Sequence, residues 1–332
     1  SNTKLGLDIS AKYTTVPNED WAGLLRRVTY TNTMDKPLEL EILDGLGSLT
    51  PAGFSYANLN TMGRTMEGWM KVYNVDDGDF TKPFFHATMS QGDTAQVSLI
   101  EEGHWVLSFL AGDAATYDEE GLHELLPIIV DPLVPFTTDT TMTHPVGFFA
   151  AGSVEQLLQE QQGTTSRTPC SYAAASVTLG PGESATLISV YGHASTLDEF
   201  LTKHAPQVRA PGFISAKFEQ ADAVVKNVVA KVATNTSEDV FNQYVGLDFL
   251  DNVLRGGYPV STDGVGGKPF YVFSRIHGDL ERDYNQFQLA MTYFSSGPGN
   301  FRDVCQNRRL DPLIFPEVGD FNVRLFLSLI QM

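Results

Sequence analysis

Hydrophobic and polar positions alternate with a period of two through the first two-thirds of the chain. The clearest runs are Leu5, Leu7 and Ile9, then Leu38, Leu40 and Ile42, and then Trp105, Leu107 and Phe109. A period of two buries one face of a strand and leaves the other in water, which is typical of antiparallel sheets. The first part of the chain is therefore predicted to be built from strands.

A turn signal at Gly180-Pro181-Gly182-Glu183 lies between two apolar runs. Gly accepts positive φ and Pro has a fixed φ, so this tetrapeptide favours a tight reversal. It predicts a hairpin that joins Ser176–Leu179 to Ala185–Tyr191. Many strands with few helices between them predict a large antiparallel β-sandwich over residues 1–212.

The hydrophobic period changes to that of a helix after residue 212. One stripe consists of Ala221, Val224, Val225, Val228, Val229 and Val232. This spacing over three turns predicts a helix despite the β propensity of valine. We assign residues 213–235 to a linker helix.

The remaining residues, 236–332, are predicted to form helices and loops. The first helix runs from a cap at Thr236 or Ser237 to a stop at Gly256-Gly257, and Tyr258–Lys268 reads as a Gly-rich loop. The predicted buried stripe of that helix is Phe241, Tyr244, Leu247, Leu250 and Leu254. A further helix is expected near residues 280–293.

A last helix presents Val323, Phe326, Leu327 and Ile330 on one face. Successive helix–loop units are typical of an α/α barrel, of which residues 236–332 contain the incomplete start. The helix reaches Met332 without a capping signal, so we expect the chain to be a fragment of a longer protein.

The balance of acidic and basic residues makes some classes of binding partner unfavourable. The formal net charge is −18, from 40 acidic and 22 basic residues. This balance repels phosphate backbones and disfavours nucleic acid or an anionic membrane as a partner. No apolar run approaches the roughly 20 residues that a spanning helix needs.

Cys170 and Cys305 are the only cysteines, and they lie far apart in sequence. So few thiols are typical of a reducing compartment, which favours a cytoplasmic location. The sequence leaves open whether the two are joined in a disulfide.

The densest group of turn residues and polar side chains lies at Tyr293–Arg309. Gly297, Pro298 and Gly299 predict a sharp bend, and the polar residues that follow are Asn300, Arg302, Asp303, Gln306, Asn307 and Arg308. An Arg beside an Asp at the start of a helix presents donors and acceptors to a polar ligand. The alternative is a capped surface helix with an internal ion pair.

Other motifs point to structure rather than chemistry. Gly264–Lys268 is not a phosphate loop because Pro269 stands where Ser or Thr is needed. The segment His277–Tyr284 is interpreted as a helix start, with His277 just before the cap and able to face a cleft. No zinc spacing and no Gly-x-Ser-x-Gly motif is present, so no metal site and no hydrolytic triad are predicted.

The segment Phe301-Arg302-Asp303-Val304-Cys305-Gln306-Asn307-Arg308-Arg309 resembles the cellobiose-phosphorylase-like inverting glycoside phosphorylases. It is closest to the large β-1,3-oligoglucan phosphorylases, and Asp44–Leu46, Arg275–Asn285 and Leu329–Gln331 are similar to the same group. The resemblance implies a β-sandwich, a linker helix and an (α/α)6 barrel. The domains would then be residues 1–212, 213–235 and 236–332.

The resemblance also implies roles for individual residues. Arg302 and Asp303 would bind hydroxyls of the sugar whose bond is broken, and Gln306 would lie next to them. The expected substrate-binding set is Arg302, Asp303, Gln306, Asn307, Arg308, Asn300 and His277. Asn307 departs from the Asp of the disaccharide-specific members, which argues against cellobiose and fits the oligoglucan branch.

The implied reaction is phosphorolysis of a β-glucan oligosaccharide to glucose 1-phosphate. In an inverting glycosidase one carboxylic acid protonates the leaving oxygen while a base activates water. Inorganic phosphate, as co-substrate, is already an anion, so a general acid and a phosphate pocket suffice. In the family the acid lies well beyond the Phe-Arg-Asp motif, so we expect it beyond Met332 and no complete active site in this chain.

Two alternatives remain open from the sequence. One is a non-catalytic carbohydrate-binding β-sandwich protein, and the other is a glycoside hydrolase of related architecture that uses water. In all three cases the expected partner is a β-glucan or related oligosaccharide, with no cofactor and no nucleic acid. In the family the sandwich takes part in dimers, which adds a homodimer to the expected partners.

Overall fold

The computed structural model describes residues 4–54, 59, 61–89, 95, 99–111, 124–261, 268–272, 308–328 and 330. The chain separates into two compact units, Ser1–Ala221 (unit 1) and Asp222–Met332 (unit 2). Unit 1 is dominated by antiparallel strands and the described part of unit 2 mainly by helices, so the predicted order of β structure followed by α structure is confirmed. None of the described helices is both long enough and apolar enough to cross a bilayer.

The larger sheet of unit 1 is antiparallel, with described strands in the order β1-β2-β9-β6-β5-β4. Its strands are β1 (Leu7–Thr15), β2 (Gly23–Asn32), β4 (Met70–Tyr73), β5 (Phe84–Ala87), β6 (Gly103–Ala111) and β9 (Ser184–Ala194). The central pair, β6 and β9, places Trp105 opposite Gly192. A Cβ on Gly192 would overlap the Trp105 ring, so this position accepts only glycine without rearrangement.

The smaller sheet of unit 1 has the described order β3-β8-β7 and is also antiparallel. Its strands are β3 (Leu38–Leu46), β7 (Ile128–Ile129) and β8 (Ser171–Leu179). The alternation that the sequence shows in β3 is real, because Glu39 and Glu41 are exposed while Ile42 is buried. The period-two prediction for this strand is therefore confirmed.

The helices of unit 1 are short except for the last. They are α1 (Arg64–Glu67), α2 (Leu133–Phe136), α3 (Val146–Ala151), α4 (Val154–Leu157), α5 (Leu197–Glu199), α6 (Ala205–Arg209) and α7 (Phe213–Val229). A π-helical turn, Phe200–His204, connects α5 to α6. Helix α7 begins in unit 1 and ends in unit 2.

Two apolar cores lie on the opposite faces of the larger sheet. One core combines Trp105, Leu107 and Phe109 of β6 with residues of the helical segment 197–218, such as Phe200 and Phe218. The other combines residues from both sheets, and its members include Val28, Val106, Leu187, Ile42, Ile128 and Ala175. A third core lies on the other face of the smaller sheet, where Ile129 and Ala174 pack against residues of α2 and α4 such as Val134 and Leu157. Unit 1 therefore has four layers, which are the helical segment 197–218, the larger sheet, the smaller sheet and the short helices α2 to α4.

The layered packing of unit 1 corrects the prediction that each strand keeps one wet face. In β6 the side chains of Trp105 and Val106 point to opposite cores, and both are fully buried. A central strand covered on both faces reads as a near-continuous apolar run, as His104–Ala111 does. The alternation of Trp105, Leu107 and Phe109 identified the strand but described only one of its two buried faces.

The predicted hairpin at Gly180–Glu183 is wrong. Strand β8 ends at Leu179 and belongs to the smaller sheet, whereas β9 begins at Ser184 and belongs to the larger sheet. The turn therefore carries the chain from one sheet to the other. A tight turn reverses direction in either case, and the long-range partners β3 for β8 and β2 and β6 for β9 decide which sheet each strand joins.

Unit 2 contains two described helices of eight or more residues beyond the end of α7. They are α8 (Asp239–Gly256) and α10 (Phe321–Ser328), and a single turn, α9 (Asp311–Ile314), precedes α10. The predicted Gly-rich loop Tyr258–Lys268 is partly wrong, because Tyr258–Ser261 forms strand β10. It pairs with β11 (Pro269–Val272) as an antiparallel ribbon.

Two of the predicted helices of unit 2, α8 and α10, are present, but the predicted cap and burial of α8 are wrong: the residue before the helix is Glu238, without a side-chain cap bond. Helix α8 ends at the predicted glycines, yet Phe241, Tyr244 and Leu247 of its predicted buried stripe are 50%, 60% and 68% exposed. In α10 and just beyond it, Val323, Leu327 and Ile330 are also exposed. The apolar faces exist as predicted, and each of these side chains keeps half or more of its surface exposed among the described residues. The predicted helix near residues 280–293 lies outside the described residues.

Candidate functional site around Arg308

Of the seven predicted substrate-binding residues, the structure describes Arg308. Asn300, Arg302, Asp303, Gln306, Asn307 and His277 lie outside the described residues. The candidate site therefore consists of Arg308 and its neighbours in unit 2. They come from the end of α8, from β11, and from the segment 308–322.

Arg308 is buried, with 7% of its surface exposed. Its guanidinium lies over the ring of Tyr271, with Cζ 3.7 Å from the ring centroid. Its Nη2 donates a hydrogen bond to the carbonyl oxygen of Gly257 at 3.3 Å. Gly257 caps α8, so this contact also satisfies a carbonyl at the end of a helix.

Asp311, one turn further along the chain, provides the counter-charge for Arg308. The Nε atom of Arg308 lies 3.4 Å from Oδ2 of Asp311, and both side chains are almost fully buried. Such a pair is costly to desolvate and is tolerated where further hydrogen bonds satisfy the carboxylate. Tyr271 and Asn322 supply those bonds.

Oδ2 of Asp311 is the centre of a small hydrogen-bond network. The hydroxyl of Tyr271 donates to it at 2.7 Å, and Nδ2 of Asn322 donates to it at 3.1 Å. Asn322 also donates to the Tyr271 hydroxyl oxygen at 2.7 Å. We call Arg308, Asp311, Tyr271 and Asn322 the Arg308 cluster.

Burial perturbs the protonation of both acidic groups in the cluster. Desolvation raises the pKa of Asp311, and the charge of Arg308 opposes this rise. Desolvation, together with the hydrogen bond donated to Asp311, raises the pKa of Tyr271 to about 12. At neutral pH Tyr271 therefore keeps its proton and donates a hydrogen bond to Asp311. The cluster contains the guanidinium of Arg308 and the hydrogen-bonded carboxyl group of Asp311.

A cavity of about 90 Å³ adjoins Arg308 and Asp311. The other lining residues are Phe249, Asn252, Val253, Gly257, Leu310, Ile314 and Phe315. Ligand pockets usually exceed about 300 Å³, so this cavity has room for a few water molecules rather than a sugar ring. The Arg308 cluster thus anchors the chain directly after the Phe-Arg-Asp motif and does not itself enclose a substrate.

Sequence reasoning found one of the four cluster residues. Asp311 had a usable signal, because it lies three residues after Arg308 on a helical turn. Tyr271 and Asn322 had none, since they are 37 residues before and 14 residues after Arg308 and join the cluster only through the fold. Within the described ranges no group of three His, Cys, Asp or Glu side chains is arranged to hold a metal ion.

Comparisons with known proteins give no family assignment. No protein-family model matches the chain, and no curated protein matches it. Among solved structures, one chain described as a polysaccharide lyase is similar at a TM-score of 0.26 and 11% sequence identity. The match covers 61% of this chain and 22% of that chain. A likeness at this score carries no argument about fold or function.

Proposed function

We propose that the chain is part of an inverting glycoside phosphorylase of the cellobiose-phosphorylase-like group, acting on β-glucan oligosaccharides. The observation that carries the proposal is the Phe301-Arg302-Asp303-x-x-Gln306 motif, set after a β-rich unit and a long helix. The two sheets that share a core would be the β-sandwich of that group. Helix α7 would be its linker.

The helices of unit 2 would belong to the (α/α)6 barrel. The exposed apolar faces of α8 and α10 support this assignment, because large exposed apolar patches mark surfaces that pack against something else. In a barrel, further helices would cover Phe241, Tyr244 and Leu247 of α8. Cys170 is a free, buried thiol, which suits a reducing compartment such as the cytoplasm. The net charge of −18 disfavours nucleic acid as a partner and is compatible with a neutral carbohydrate substrate.

The buried Arg308 cluster would give the motif a fixed point of attachment. Sugar-binding side chains need fixed positions, and a residue held by a ring, a carbonyl and a carboxylate provides one two residues after Gln306. In this proposal Arg308 positions the segment, while Arg302 and Asp303 bind sugar hydroxyls. Inorganic phosphate attacks the anomeric carbon, a general acid protonates the leaving oxygen, and the configuration inverts.

The test uses the natural protein that contains this chain, with laminaritriose as substrate. We expect glucose 1-phosphate to appear only when inorganic phosphate is present. Release of glucose without phosphate would support a hydrolase instead. Binding of laminaritriose without any turnover would support the non-catalytic carbohydrate-binding alternative.

Two substitutions test the assigned residues. Arg302→Ala and Asp303→Ala should each lower kcat/KM by at least about a hundredfold, because each removes charged hydrogen bonds to the sugar. Arg309→Ala serves as the matched control, since Arg309 lies in the same segment and is exposed. Near-normal kcat/KM in either of the first two variants would overturn their placement.

A further inference from the structure

Unit 1 contains a groove of about 610 Å³ that the Phe-Arg-Asp motif does not use. It is lined by residues of α2 and α3 and of the segment 157–167. We call it the Asp131 groove after its most buried charged residue. Its volume lies within the usual range of ligand pockets, about 300–1,000 Å³.

Asp131 holds the walls of the groove together. It is 3% exposed and accepts hydrogen bonds from the backbone N–H groups of Leu133 at 3.0 Å and Gly163 at 2.7 Å. Nη1 of Arg167 donates to both of its carboxylate oxygens at 2.6 Å. One carboxylate thus joins the start of α2 to the segment 163–167, so these two parts of the lining are held together.

The two helices of the lining approach each other closely. A Cβ on Gly147 would overlap the carbonyl oxygen of Val134, so α2 and α3 meet backbone to backbone. Thr137, at the end of α2, has a φ of 50°, an uncommon conformation for a residue other than glycine. Small residues, Gly147, Ala150 and Ala151, form the wall contributed by α3 and leave space between the two sides.

The charges of the groove favour a neutral ligand. Arg167 is neutralised by Asp131, and Glu160 carries the remaining charge of the lining. An anion would find no surplus positive charge, and a cation would find one exposed carboxylate and no aromatic face. The lining is therefore better suited to a neutral ligand than to an ion, whose charge would be desolvated without adequate compensation.

The polar groups of the groove match the requirements of hydroxyl groups. The guanidinium of Arg167 has Nε and Nη2 outside its described bonds to Asp131, and it can donate. The carboxylate of Glu160 accepts, and the amide of Gln161 does both. Leu133, which is 47% exposed, provides apolar surface for the C–H face of a ring. A polyol with alternating hydroxyls and C–H groups satisfies both kinds of surface.

We propose that the Asp131 groove is a carbohydrate-binding site in unit 1 that takes a short neutral oligosaccharide. The choice of ligand class rests in part on the proposed function, whereas the groove and its chemistry do not. The site would hold a glucan chain on the protein without taking part in bond cleavage.

The test titrates the full chain, labelled with ²H and ¹⁵N, with laminaritriose and, separately, with inorganic phosphate. We expect the sugar to shift the amide resonances of Gly147 and Gly163, and phosphate to leave them in place. The titration extends to about a 20-fold excess of sugar over protein and to about 10 mM sugar, a range that covers weak binding. If neither glycine resonance shifts with sugar over this range, the proposal is overturned. A shift with phosphate alone would replace it by an anion site.

Ala150→Trp should block the groove, because Ala150 lines it and its exposed position tolerates a large side chain. We expect the dissociation constant for laminaritriose at the glycine resonances to rise at least about tenfold. Val146→Trp is the matched control, since Val146 is exposed on the same helix and does not line the groove. Equal affinity in the two variants would contradict the proposal.

Gln161→Ala provides a second variant that leaves the packing unchanged. Loss of one hydrogen-bonding amide should weaken binding about three- to tenfold. Gln159→Ala, an exposed neighbour outside the lining, should have no effect. If the protein shows no phosphorolysis but the glycine resonances shift with sugar, the proposed function is wrong and the groove is still a carbohydrate site. If phosphorolysis occurs but the resonances do not shift, the proposed function is retained and the groove is not a carbohydrate site.

Discussion

The side-chain amide of Asn32 donates a hydrogen bond to the carbonyl oxygen of Leu179 at 2.9 Å. Asn32 ends β2, where the chain leaves the larger sheet, and Leu179 ends β8, where the chain returns to it. The same amide reaches the carbonyl oxygens of Lys36 and Gly180, one in each of the two turns that follow these strands. One fully buried side chain therefore ties together both crossings between the sheets.

Replacing Asn32 should destabilise unit 1 strongly. In Asn32→Ala the carbonyls of Lys36, Leu179 and Gly180 lose a shared donor in a buried place, which costs about 1–3 kcal/mol. Urea unfolding followed by the fluorescence of Trp21 and Trp105 would measure the change. Thr33→Ala, at the exposed neighbouring position, should stay within about 0.5 kcal/mol of the parent chain. Similar midpoints for both variants would show that the corner is not stabilised by Asn32.

Gly192→Ala should disturb the centre of the larger sheet. The added methyl group would overlap the indole of Trp105, which is packed against Phe200 at a ring distance of 5.0 Å and cannot move freely. Overpacking of this kind costs about 1–3 kcal/mol. Calorimetric melting would measure the effect.

Gly68→Ala is the control for the glycine substitution. A Cβ at Gly68 would be in ordinary contact, at 3.4 Å from the Thr65 carbonyl oxygen, and its φ of −59° suits any residue. We expect a melting temperature that is unchanged or slightly higher, because alanine restricts the unfolded chain. Equal losses in the two variants would contradict the role given to Trp105.

Histidine 204 should make unit 1 sensitive to mild acid. Its ring is 1% exposed, lies 5.3 Å from the ring of Trp21 and 5.9 Å from that of Trp105, and neither of its nitrogens has a hydrogen-bond partner among the described residues. Burial lowers its pKa, and Glu199, 3.6 Å away, only partly opposes this. The neutral ring is therefore the folded form.

The sign of the pH dependence follows from this lowered pKa. Above the ordinary histidine pKa of about 6.5 the ring is neutral in both states, so folding stability does not depend on it. As the pH falls below that value the unfolded chain takes up the proton first, and stability declines until the folded pKa is reached. We expect the free energy of unfolding to fall between pH 7 and pH 5.

The variant His204→Phe tests this assignment, because it keeps an aromatic ring without a titrating group. Its unfolding free energy should depend less on pH over the same interval. A residual slope is expected from His104, whose pKa burial also lowers. His144→Gln, at an exposed position, should retain the parent profile. An unchanged slope in His204→Phe would remove His204 as the source.

Arg308 and Asp311 should be coupled in stability. Arg308→Met leaves the Asp311 carboxyl buried without its cation, and Asp311→Leu leaves the guanidinium without its anion. Each single change should cost about 3–5 kcal/mol, and the double variant should cost less than their sum by about 1–3 kcal/mol. A double-mutant cycle from denaturant unfolding would measure the coupling, and strict additivity would contradict it.

Local patterns predicted the β-rich character of unit 1 and the presence of α7, α8 and α10. The alternation in β3 and β6 and the glycine stop of α8 depend on neighbours within a few residues, so they are visible in the sequence. The same patterns failed where the partner is distant. The turn at Gly180–Glu183 looked like a hairpin because its residues favour reversal whichever sheet the next strand joins.

The candidate site likewise contains residues that the sequence could identify and residues that it could not. Arg308 was identified from its segment, and its ion pair with Asp311 is a local relationship of three residues. Tyr271 and Asn322 complete the cluster from a β-ribbon and a later helix. Their identity as polar residues carried no information about which carboxylate they would meet.

Residue order and hydrophobic period were thus enough to predict the β-then-α organisation and the helix that ends at glycine, and to identify the polar segment around Arg302. The tertiary structure decided that β6 is buried on both faces, that Asn32 joins two sheet crossings and that an Asp131 groove opens in unit 1. It also left the apolar face of α8 exposed among the described residues. Side-chain period records how a segment divides its two faces, whereas strand pairing and layer contacts depend on residues far away in sequence.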